Sequence, residues 1–387
     1  MALSLLLRPA SQLGELNDPF RGERWLTVEQ DIQDQLEQAE RIGIEVSRRK
    51  ALRMAAKVGI GGAALAAGLG AEVGRDLPAA LAASSLPKKG YKFVFVNHVT
   101  TNPFFTPTQY GIQDACAMLG TSYQWAGSQN SIVSEMVSAM QSAIANKADG
   151  IAVCLVDAKA FNKPTSDAHS VGIPVIGYNA DTPSNKRLAY VGQGLYQSGY
   201  NIAKRWIPLL KKGSHVMLSI ATPGSLNLQP RLDGYIQAIK DSGNPVTYDV
   251  VASGAQQADE LSRIESYYLS HKTVAGLFGT GATDTLACGK VSKKYGLAAK
   301  GVISAGYDLL PDTLALVASG DMTFTTDQQP YLQGFIPTLQ LYLYKLSGGA
   351  VSPFNADTSL AYVNKANVQT YVGVKSRFEG STNAEPK

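Results

Sequence analysis

From residue 91 onward the chain alternates short apolar runs rich in β-branched residues with longer amphipathic stretches. The short runs predict buried strands, and apolar residues at helical spacing in the longer stretches predict helices packed on them. A repeated strand-helix order is the pattern of βα units on a parallel sheet. We expect helices that include 132–145 and 332–346, and strands at 92–97, 122–126, 150–155, 174–178, 215–220, 246–251, 274–278, 302–305 and 322–326.

The length of the chain favours two domains, because domains commonly hold ~100–200 residues and this chain has 387. Four βα units precede residue 190 and about as many follow it, with no Pro/Gly/Ser-rich linker between them. Two similar α/β halves joined by tight chain crossings fit this pattern better than two independent domains in tandem.

The first ninety residues have a different pattern. Arg48-Arg49 precedes an apolar, Gly- and Ala-rich run at 58–69, which is followed by small residues around Ala82. This order predicts a twin-arginine export signal over 47–82, with cleavage after Ala82. The run is shorter than the ~20 residues that span a bilayer, and no cysteine follows it as a lipid attachment point. Two interpretations of residues 1–46 stay open, a genuine extension or a mis-chosen start codon.

Charge and cysteine content exclude several classes of partner. The 35 basic and 31 acidic residues are spread along the chain, without the dense Lys/Arg stripe that phosphate backbones attract, so nucleic acid is not an expected partner. Three widely spaced cysteines form no CxxC pair and have no clustered histidine, so we expect no disulfide framework, metal site or cofactor. These are Cys116, Cys154 and Cys288.

The histidines give no sign of catalysis. They are scattered, and no Gly-x-Ser-x-Gly elbow, phosphate loop or HExxH helix accompanies them. The carboxylates are not arranged in sequence as a paired acid and base either. We therefore expect no catalytic residue, and a satisfied or solvated side chain at His98, His169, His215 and His271.

Polar and aromatic residues follow the predicted strands, which is where open α/β sheets bind ligands. After the first strand comes Asn102, then Phe104 and Phe105, on a loop. Aromatic rings there can cover the C–H face of a sugar, or they can belong to a helix-entry loop whose rings enter the core.

The run Thr101-Asn102-Pro103-Phe104-Phe105 resembles the ribose-binding branch of the periplasmic sugar-binding proteins. The resemblance extends in family order and spacing over 91–372. Further landmarks lie at 128–130, 149–151, 156–158, 172–176, 231–235, 306–308 and 327–330.

The resemblance implies a type I periplasmic binding protein, with two Rossmann-like lobes of parallel sheet joined by a multi-crossing hinge. It places the N-terminal lobe at 90–193 plus 329–360, the C-terminal lobe at 194–328 plus 361–374, and a tail at 375–387. It implies a solute-binding component of an ABC transporter, a membrane permease as partner and a monomeric protein. The ligand-binding residues it implies are Asn102, Phe104, Phe105, Asn179, Arg231, Asp308 and Gln328, with Asn227, Gln229 and Gln257 as neighbours and Thr283 or Asp284 as a further contact.

One position departs from the family pattern. Asn179-Ala180 stands where relatives often have aspartate followed by arginine. The loss of arginine removes a forked donor that can hold two hydroxyls, so a sugar alcohol or unusual sugar is as well favoured as ribose. Asp accepts, Arg donates, and Asn and Gln do both, which together match the hydroxyls of a polyol.

Transport has three alternatives. A sensory sugar-binding protein for a chemoreceptor or signalling kinase has the same sequence features. An exported enzyme lacks support from the residues above. A sugar-sensing transcription regulator needs an N-terminal helix-turn-helix, and the predicted export signal occupies that place.

Overall fold

The computed structural model describes residues 86–372, and the structural statements below concern that part of the chain. The expected export signal, the segment 1–46 and the tail 375–387 lie outside the described residues. None of the described helices is long and apolar enough to cross a membrane.

The described residues form two six-stranded sheets. The strands are β1 Lys92–Asn97, β2 Ser122–Gly127, β3 Gly150–Val153, β4 Val175–Tyr178, β5 Ala189–Gly192, β6 His215–Ile220, β7 Thr247–Ala252, β8 Gly276–Gly279, β9 Ile303–Ala305, β10 Phe324–Asp327, β11 Ala356–Asp357 and β12 Ala361–Asn364. The helices are α1 Thr106–Leu119, α2 Val133–Ala145, α3 Asn162–Ser170, α4 Leu195–Trp206, α5 Gln229–Asp241, α6 Gln257–Ser270, α7 Ala282–Tyr295, α8 Pro311–Ser319, α9 Pro330–Leu346 and α10 Gln369–Val372.

The two sheets share one topology. The first has the order β2-β1-β3-β4-β5-β11 and is parallel throughout, whereas the second has the order β7-β6-β8-β9-β10-β12 with only β12 antiparallel. Strands β1, β3 and β4 are almost wholly buried, as expected for parallel strands covered by helices on both faces. We call the first sheet with its helices the first lobe, and the second sheet with its helices the second lobe.

The chain passes between the sheets three times. It leaves the first sheet after β5, returns after β10, and crosses again between β11 and β12. This topology confirms the expected pair of α/β lobes. It also brings the carboxyl ends of both sets of strands to the junction between the lobes.

A pair of closely packed helices flanks each sheet, and glycine allows the approach in both cases. A Cβ atom on Gly111 of α1 would collide with the carbonyl of Tyr331 in α9, and one on Gly199 of α4 would collide with the carbonyl of Arg231 in α5. Small residues of this kind let two backbones approach without a void. The second pair helps to fix the position of Arg231, one of the residues that the resemblance implies for ligand binding.

The nine predicted strands are confirmed, with boundaries that differ by a few residues at most. Three further strands, β5, β11 and β12, were not predicted. Strand β11 has two residues and β12 is only partly buried, so neither has an extended apolar run that marks a strand in sequence.

Candidate functional site

A narrow cavity of about 50 Å³ lies between the two lobes at the carboxyl ends of the strands. Side chains from both lobes line it. Of the twelve predicted site residues, ten line the cavity: Asn102, Phe104, Phe105, Asn179, Asn227, Arg231, Thr283, Asp284, Asp308 and Gln328.

The first wall is the loop that follows β1. Asn102 accepts a hydrogen bond from the backbone N–H of Phe104 at 3.0 Å and so caps a short 3₁₀ turn, Pro103–Phe105. The rings of Phe104 and Phe105 meet edge to face with centroids 4.7 Å apart, and both are buried. The two phenylalanines therefore belong to the core of the first lobe and to the wall of the cavity at once.

Arg231 projects from the first turn of α5 and is held in place by several partners. Its guanidinium donates to the carbonyl of Thr280 at 3.0 Å, to Gln328 Oε1 at 2.9 Å and to Gln193 Oε1 at 3.2 Å. The guanidinium carbon also lies 4.0 Å from the centre of the Tyr307 ring, a cation–π contact. The Nε–H alone has no hydrogen-bond partner among the described residues.

Asp308 and Gln328 meet beside this arginine. Gln328 Nε2 donates to Asp308 Oδ1 at 2.6 Å, and both side chains are almost fully buried. Burial raises the pKa of Asp308 to about 7, although the charge of Arg231 and the hydrogen bond from Gln328 act in the opposite direction. The pair can accept and donate hydrogen bonds. Ionisation of the buried Asp308 carboxyl group costs free energy, because the charge is removed from water.

Asn179 connects the first lobe to the same network. Its Nδ2 donates to Gln333 Oε1 at 3.1 Å, and Gln333 Nε2 donates in turn to Gln328 Oε1 at 3.2 Å. Gln193, another buried glutamine, lies between β5 and α4 and donates to the carbonyl of Ser359 at 3.0 Å. The chain crossings and the polar residues of the cavity thus share one set of hydrogen bonds.

Asp284 has a largely structural role. Its carboxylate accepts from the backbone N–H groups of Thr280, Gly281 and Thr285 at 3.0, 2.8 and 2.8 Å. Those bonds provide acceptors for backbone N–H groups at the start of α7. An acidic side chain in the first turn of a helix commonly has this role. Thr283, one residue earlier, also lines the cavity.

Glu260 was not predicted and lies in the cavity wall. It occupies the first turn of α6, is 1% exposed, and its Oε2 has no hydrogen-bond partner among the described residues. Burial raises the pKa of Glu260, and the nearby charge of Asp284 raises it further. An acidic residue in a helix beginning normally faces solvent, so the sequence carried no signal for this placement.

His98 also lines the cavity, and it is neither solvated nor fully satisfied as we expected, because it is buried and one ring nitrogen has no hydrogen-bond partner among the described residues. Asn227 Oδ1 accepts from Ser225, so Asn227 Nδ2 donates to His98 Nε2 at 3.0 Å and the imidazole proton is on Nδ1. That Nδ1–H has no hydrogen-bond partner. Burial, with the charge of Arg231, lowers the pKa of His98 to about 4, so the ring is neutral at pH 7.

Two predicted residues do not line the cavity. Gln229 accepts from the backbone N–H of Gly224 and donates to Asp233 on its own helix. Gln257 is exposed at the start of α6. Glu260, which lies three residues further along the same helix, lines the cavity instead. Helical geometry, which strand-end spacing does not describe, decides which residue of the turn points inward.

Metal and disulfide chemistry have no basis in the described residues. Those residues contain no cluster of three or more His, Cys, Asp or Glu side chains suited to a metal ion. All three cysteines are free and buried. Cys154 lies beside the first wall, where Asn97 Nδ2 is 3.7 Å from its sulfur.

The comparisons with known proteins agree with this architecture. A family model described as "Periplasmic binding protein domain" matches residues 93–348, and the chain belongs to that family. It is 46% identical over 369 residues to the xylose/arabinose-binding protein XylF of Sulfolobus acidocaldarius, which covers 88% of this chain and 91% of the relative.

Two solved structures illustrate the shared fold. A solute-binding protein of Burkholderia graminis in complex with D-arabinose superposes with a TM-score of 0.67 at 24% identity, over 74% of this chain and 99% of that one. A carbohydrate transporter protein of Acidothermus cellulolyticus in complex with myo-inositol gives 0.66 at 22% identity, over 76% and 100%. At these identities the likeness concerns the fold.

Proposed function

We propose that the chain is the solute-binding component of an ABC transporter and captures a neutral monosaccharide, a pentose in the first instance, between its lobes. The observation that carries this proposal is the set of unpartnered polar atoms on the cavity wall. His98 Nδ1, Arg231 Nε and Glu260 Oε2 are buried and lack a hydrogen-bond partner among the described residues.

Unpartnered buried donors and acceptors are uncommon in folded proteins and indicate a ligand that supplies the partners. A sugar hydroxyl both donates and accepts, so a polyol can satisfy two N–H donors and a carboxyl group together. The rings of Phe104 and Phe105 supply an apolar surface for sugar C–H groups. A cavity with this combination suits a polyhydroxylated molecule better than a purely apolar or multiply charged one.

The choice of a pentose rests on the relative named xylose/arabinose-binding protein, which is 46% identical to this chain over most of both lengths. Hexoses, small alditols and cyclitols are the next candidates. The replacement of the arginine expected after position 179 by Ala180 favours a ligand set different from that of a strict ribose binder.

The lobes close on the ligand in this proposal, and the structure has contacts suited to the closed state. The backbone N–H of Leu226 donates to the carbonyl of Val156 at 2.9 Å, and Asn227 donates to His98 across the cleft. Gln256 Nε2 donates to Asn130 Oδ1 at 2.8 Å at the edge of the cleft. A ligand that contacts both lobes favours the closed form by its differential affinity, with no covalent chemistry.

Export by the twin-arginine route, a monomeric state, a permease partner and lobe limits of 90–193 plus 329–360 and 194–328 plus 361–374 complete the proposal. Family membership supports an exported protein of the periplasm or cell envelope. The permease would then recognise the closed surface, to which both lobes contribute.

A ligand screen tests the proposal directly. The purified full chain is heated with D-xylose, L-arabinose, D-arabinose, D-ribose, D-glucose, xylitol or myo-inositol, each at about 1 mM. A ligand at 100 times its Kd stabilises the native state by about 2.7 kcal/mol, which raises the unfolding midpoint measurably. We expect a rise with one or more pentoses. No rise with any of the seven contradicts the proposal.

A transport measurement separates uptake from sensing. Deletion of the gene should lower the uptake of the pentose that binds, and restoration of the gene should recover it. Unchanged uptake in the deletion strain together with lost taxis towards that pentose would contradict transport and support the sensory alternative.

A further inference from the structure

Among the carboxyl groups of the described residues that line the cavity, Glu260 is the one with a buried oxygen that lacks a hydrogen-bond partner. It is 1% exposed, and its Oε2 has no hydrogen-bond partner among the described residues. The hydroxyl of Thr283 is its neutral neighbour, which hydrogen-bonds to the carboxyl group. None of the ion pairs formed by described residues includes Glu260.

The charged groups around Glu260 are mostly of the same sign. Asp284 on α7 faces it across the cavity wall, and Asp259 precedes it on α6. Asp308, from the loop after β9, lines the same cavity. The first-turn position in α6 favours a negative charge only weakly, and screening by solvent is small at this depth.

The cavity wall has too few cations to compensate three carboxylates among the described residues. Arg231 is the one permanent cation among the described lining residues, and it donates to Thr280, Gln193 and Gln328. His98 is the other ionisable base, and its neutral Nε2 accepts from Asn227. Ionised Glu260, Asp284 and Asp308 would share one arginine, and an unpaired buried charge of this kind is removed by protonation.

We propose that Glu260 contacts the sugar as an uncharged carboxylic acid, so that closure of the cleft on the sugar takes up one proton from solvent. The protonated carboxyl group has an O–H donor and a carbonyl acceptor, which is the pattern that pairs with a hydroxyl of a polyol. No bond other than the O–H of the acid is formed. This inference rests on the proposed function and adds to it a proton that is bound with the ligand.

The sign of the pH effect follows from linkage. Glu260 has an ordinary pKa of about 4.5 when solvated, and burial with the charge of Asp284 raises its pKa in the closed form. The proposal has the open cleft solvate Glu260, and the closed form then holds more protons than the open form above pH 4.5. Binding through this group should weaken by up to about tenfold per pH unit as pH rises above that value, until the raised pKa is passed.

Three other groups contribute to the profile, not all in the same direction. Burial raises the pKa of Asp284 to about 6, so Asp284 favours binding at lower pH. The pKa of Asp308 is raised by burial, so it also favours binding at lower pH. The pKa of His98 is lowered to about 4 by burial, so protonation of this ring opposes closure as pH falls below about 6.5. The ratio of the Kd of wild type to that of a Glu260 variant at each pH removes the contributions of Asp308 and His98 and reports Glu260 together with the Asp284 charge that acts on it.

The test measures Kd for D-xylose, L-arabinose and D-ribose by isothermal titration calorimetry between pH 5 and 8. The proteins are the wild-type full chain, Glu260→Gln and Asp259→Asn. Gln has nearly the shape of the protonated acid and cannot ionise. Asp259→Asn removes the same charge from the exposed neighbouring position. Thermal unfolding midpoints at pH 5 confirm that the variants fold.

We expect wild type and Glu260→Gln to bind the same pentose with similar Kd at pH 5. At pH 8 the wild-type Kd should exceed that of Glu260→Gln by at least tenfold, whereas Asp259→Asn should follow wild type within about threefold. Titrations of wild type at pH 7 in buffers of different ionisation enthalpy should report about one proton more taken up than with Glu260→Gln.

A wild-type to Glu260→Gln ratio that stays constant from pH 5 to 8, with equal proton uptake, overturns the role of Glu260 and leaves the proposed function intact. A ratio that changes equally for Asp259→Asn overturns it as well, because a general surface-charge effect is then sufficient. Absence of binding by all three pentoses at every pH contradicts the proposed pentose ligand and, with it, this inference.

Discussion

Asn179 and Asp308 occupy equivalent positions in the two lobes, each directly after a Gly-Tyr pair at the end of the fourth strand of its sheet. Both have a left-handed backbone, with φ of 63° and 76°. Asn and Asp tolerate this conformation better than other residues with a side chain. Since one lobe supplies an amide and the other a carboxyl group, the repeated geometry gives the cavity two chemically different contacts.

Asp308→Ala should abolish ligand binding. It removes the acceptor that Gln328 orients at 2.6 Å. Isothermal titration with the best pentose from the ligand screen checks this, together with the unfolding midpoint. A Kd within about tenfold of wild type, which corresponds to about 1.4 kcal/mol, would contradict the assignment of Asp308 as a ligand contact.

Asp308→Asn is the control that separates charge from backbone strain, because asparagine also tolerates the left-handed backbone at this position. The pKa of Asp308 rises from 3.8 to about 7 on burial. The folded state favours protonated Asp308. The contribution of this group to the free energy of unfolding is therefore fully present below about pH 3.8 and is lost as pH rises through about 7. The unfolding midpoint of Asp308→Asn relative to that of wild type should rise as the pH increases from 4 to 8. A pH-independent difference argues against the raised pKa.

Gln256→Ala should open the edge of the cleft. The Gln256 amide donates to the carbonyl of Gln129 at 3.2 Å and to Asn130 Oδ1 at 2.8 Å, which joins the two lobes. These bonds are exposed, so we expect a modest effect of about 0.5–1.5 kcal/mol, mainly as faster release. Stopped-flow measurement of pentose dissociation tests this.

The adjacent exposed residue provides the matched control for Gln256. Gln257→Ala removes an identical side chain from the same helix end, where the bonds to Gln129 and Asn130 come from Gln256 and not from Gln257. It should leave both Kd and dissociation rate unchanged. Equal effects of the two substitutions would show that general changes to the start of α6, rather than the bond across the cleft, control release.

Phe104→Ala should weaken pentose binding by tenfold or more, since it removes the apolar surface available to sugar C–H groups. Phe354→Ala serves as control, because that ring is 63% exposed and does not line the cavity. Calorimetric Kd values for both variants test this prediction, and circular dichroism verifies that the variants fold. Unchanged affinity in Phe104→Ala would mean that its ring serves only the core.

The three cysteines should be inert in the native protein. Cys116, Cys154 and Cys288 are buried and free, and burial raises the pKa of each thiol. The reactive thiolate is thus scarce at neutral pH. Mass spectrometry after iodoacetamide treatment should show little modification within minutes in native buffer and three modifications in denaturant. Rapid native modification of Cys154 would contradict its burial beside the cavity.

The sequence by itself determined the α/β class, nine of the twelve described strands and ten of the twelve expected cavity residues. The strands could be predicted because buried strands need apolar runs, which are a local feature. The cavity residues were implied by the resemblance to the sugar-binding family, and they follow strand ends as ligand residues in such sheets do. The positions of Asn179 and Asp308 are examples, since each is the polar residue directly after a Gly-Tyr strand end.

Tertiary structure alone decided the rest. His98 meets Asn227 across 129 residues of chain, and Gln256 meets Asn130 across 126, so no local pattern encodes either contact. Glu260, in place of Gln257, faces the cavity because of the rotation of α6 against the second sheet. Burial, which only the assembled lobes produce, is what changes the protonation of Glu260 and Asp308 and gives these side chains their chemistry.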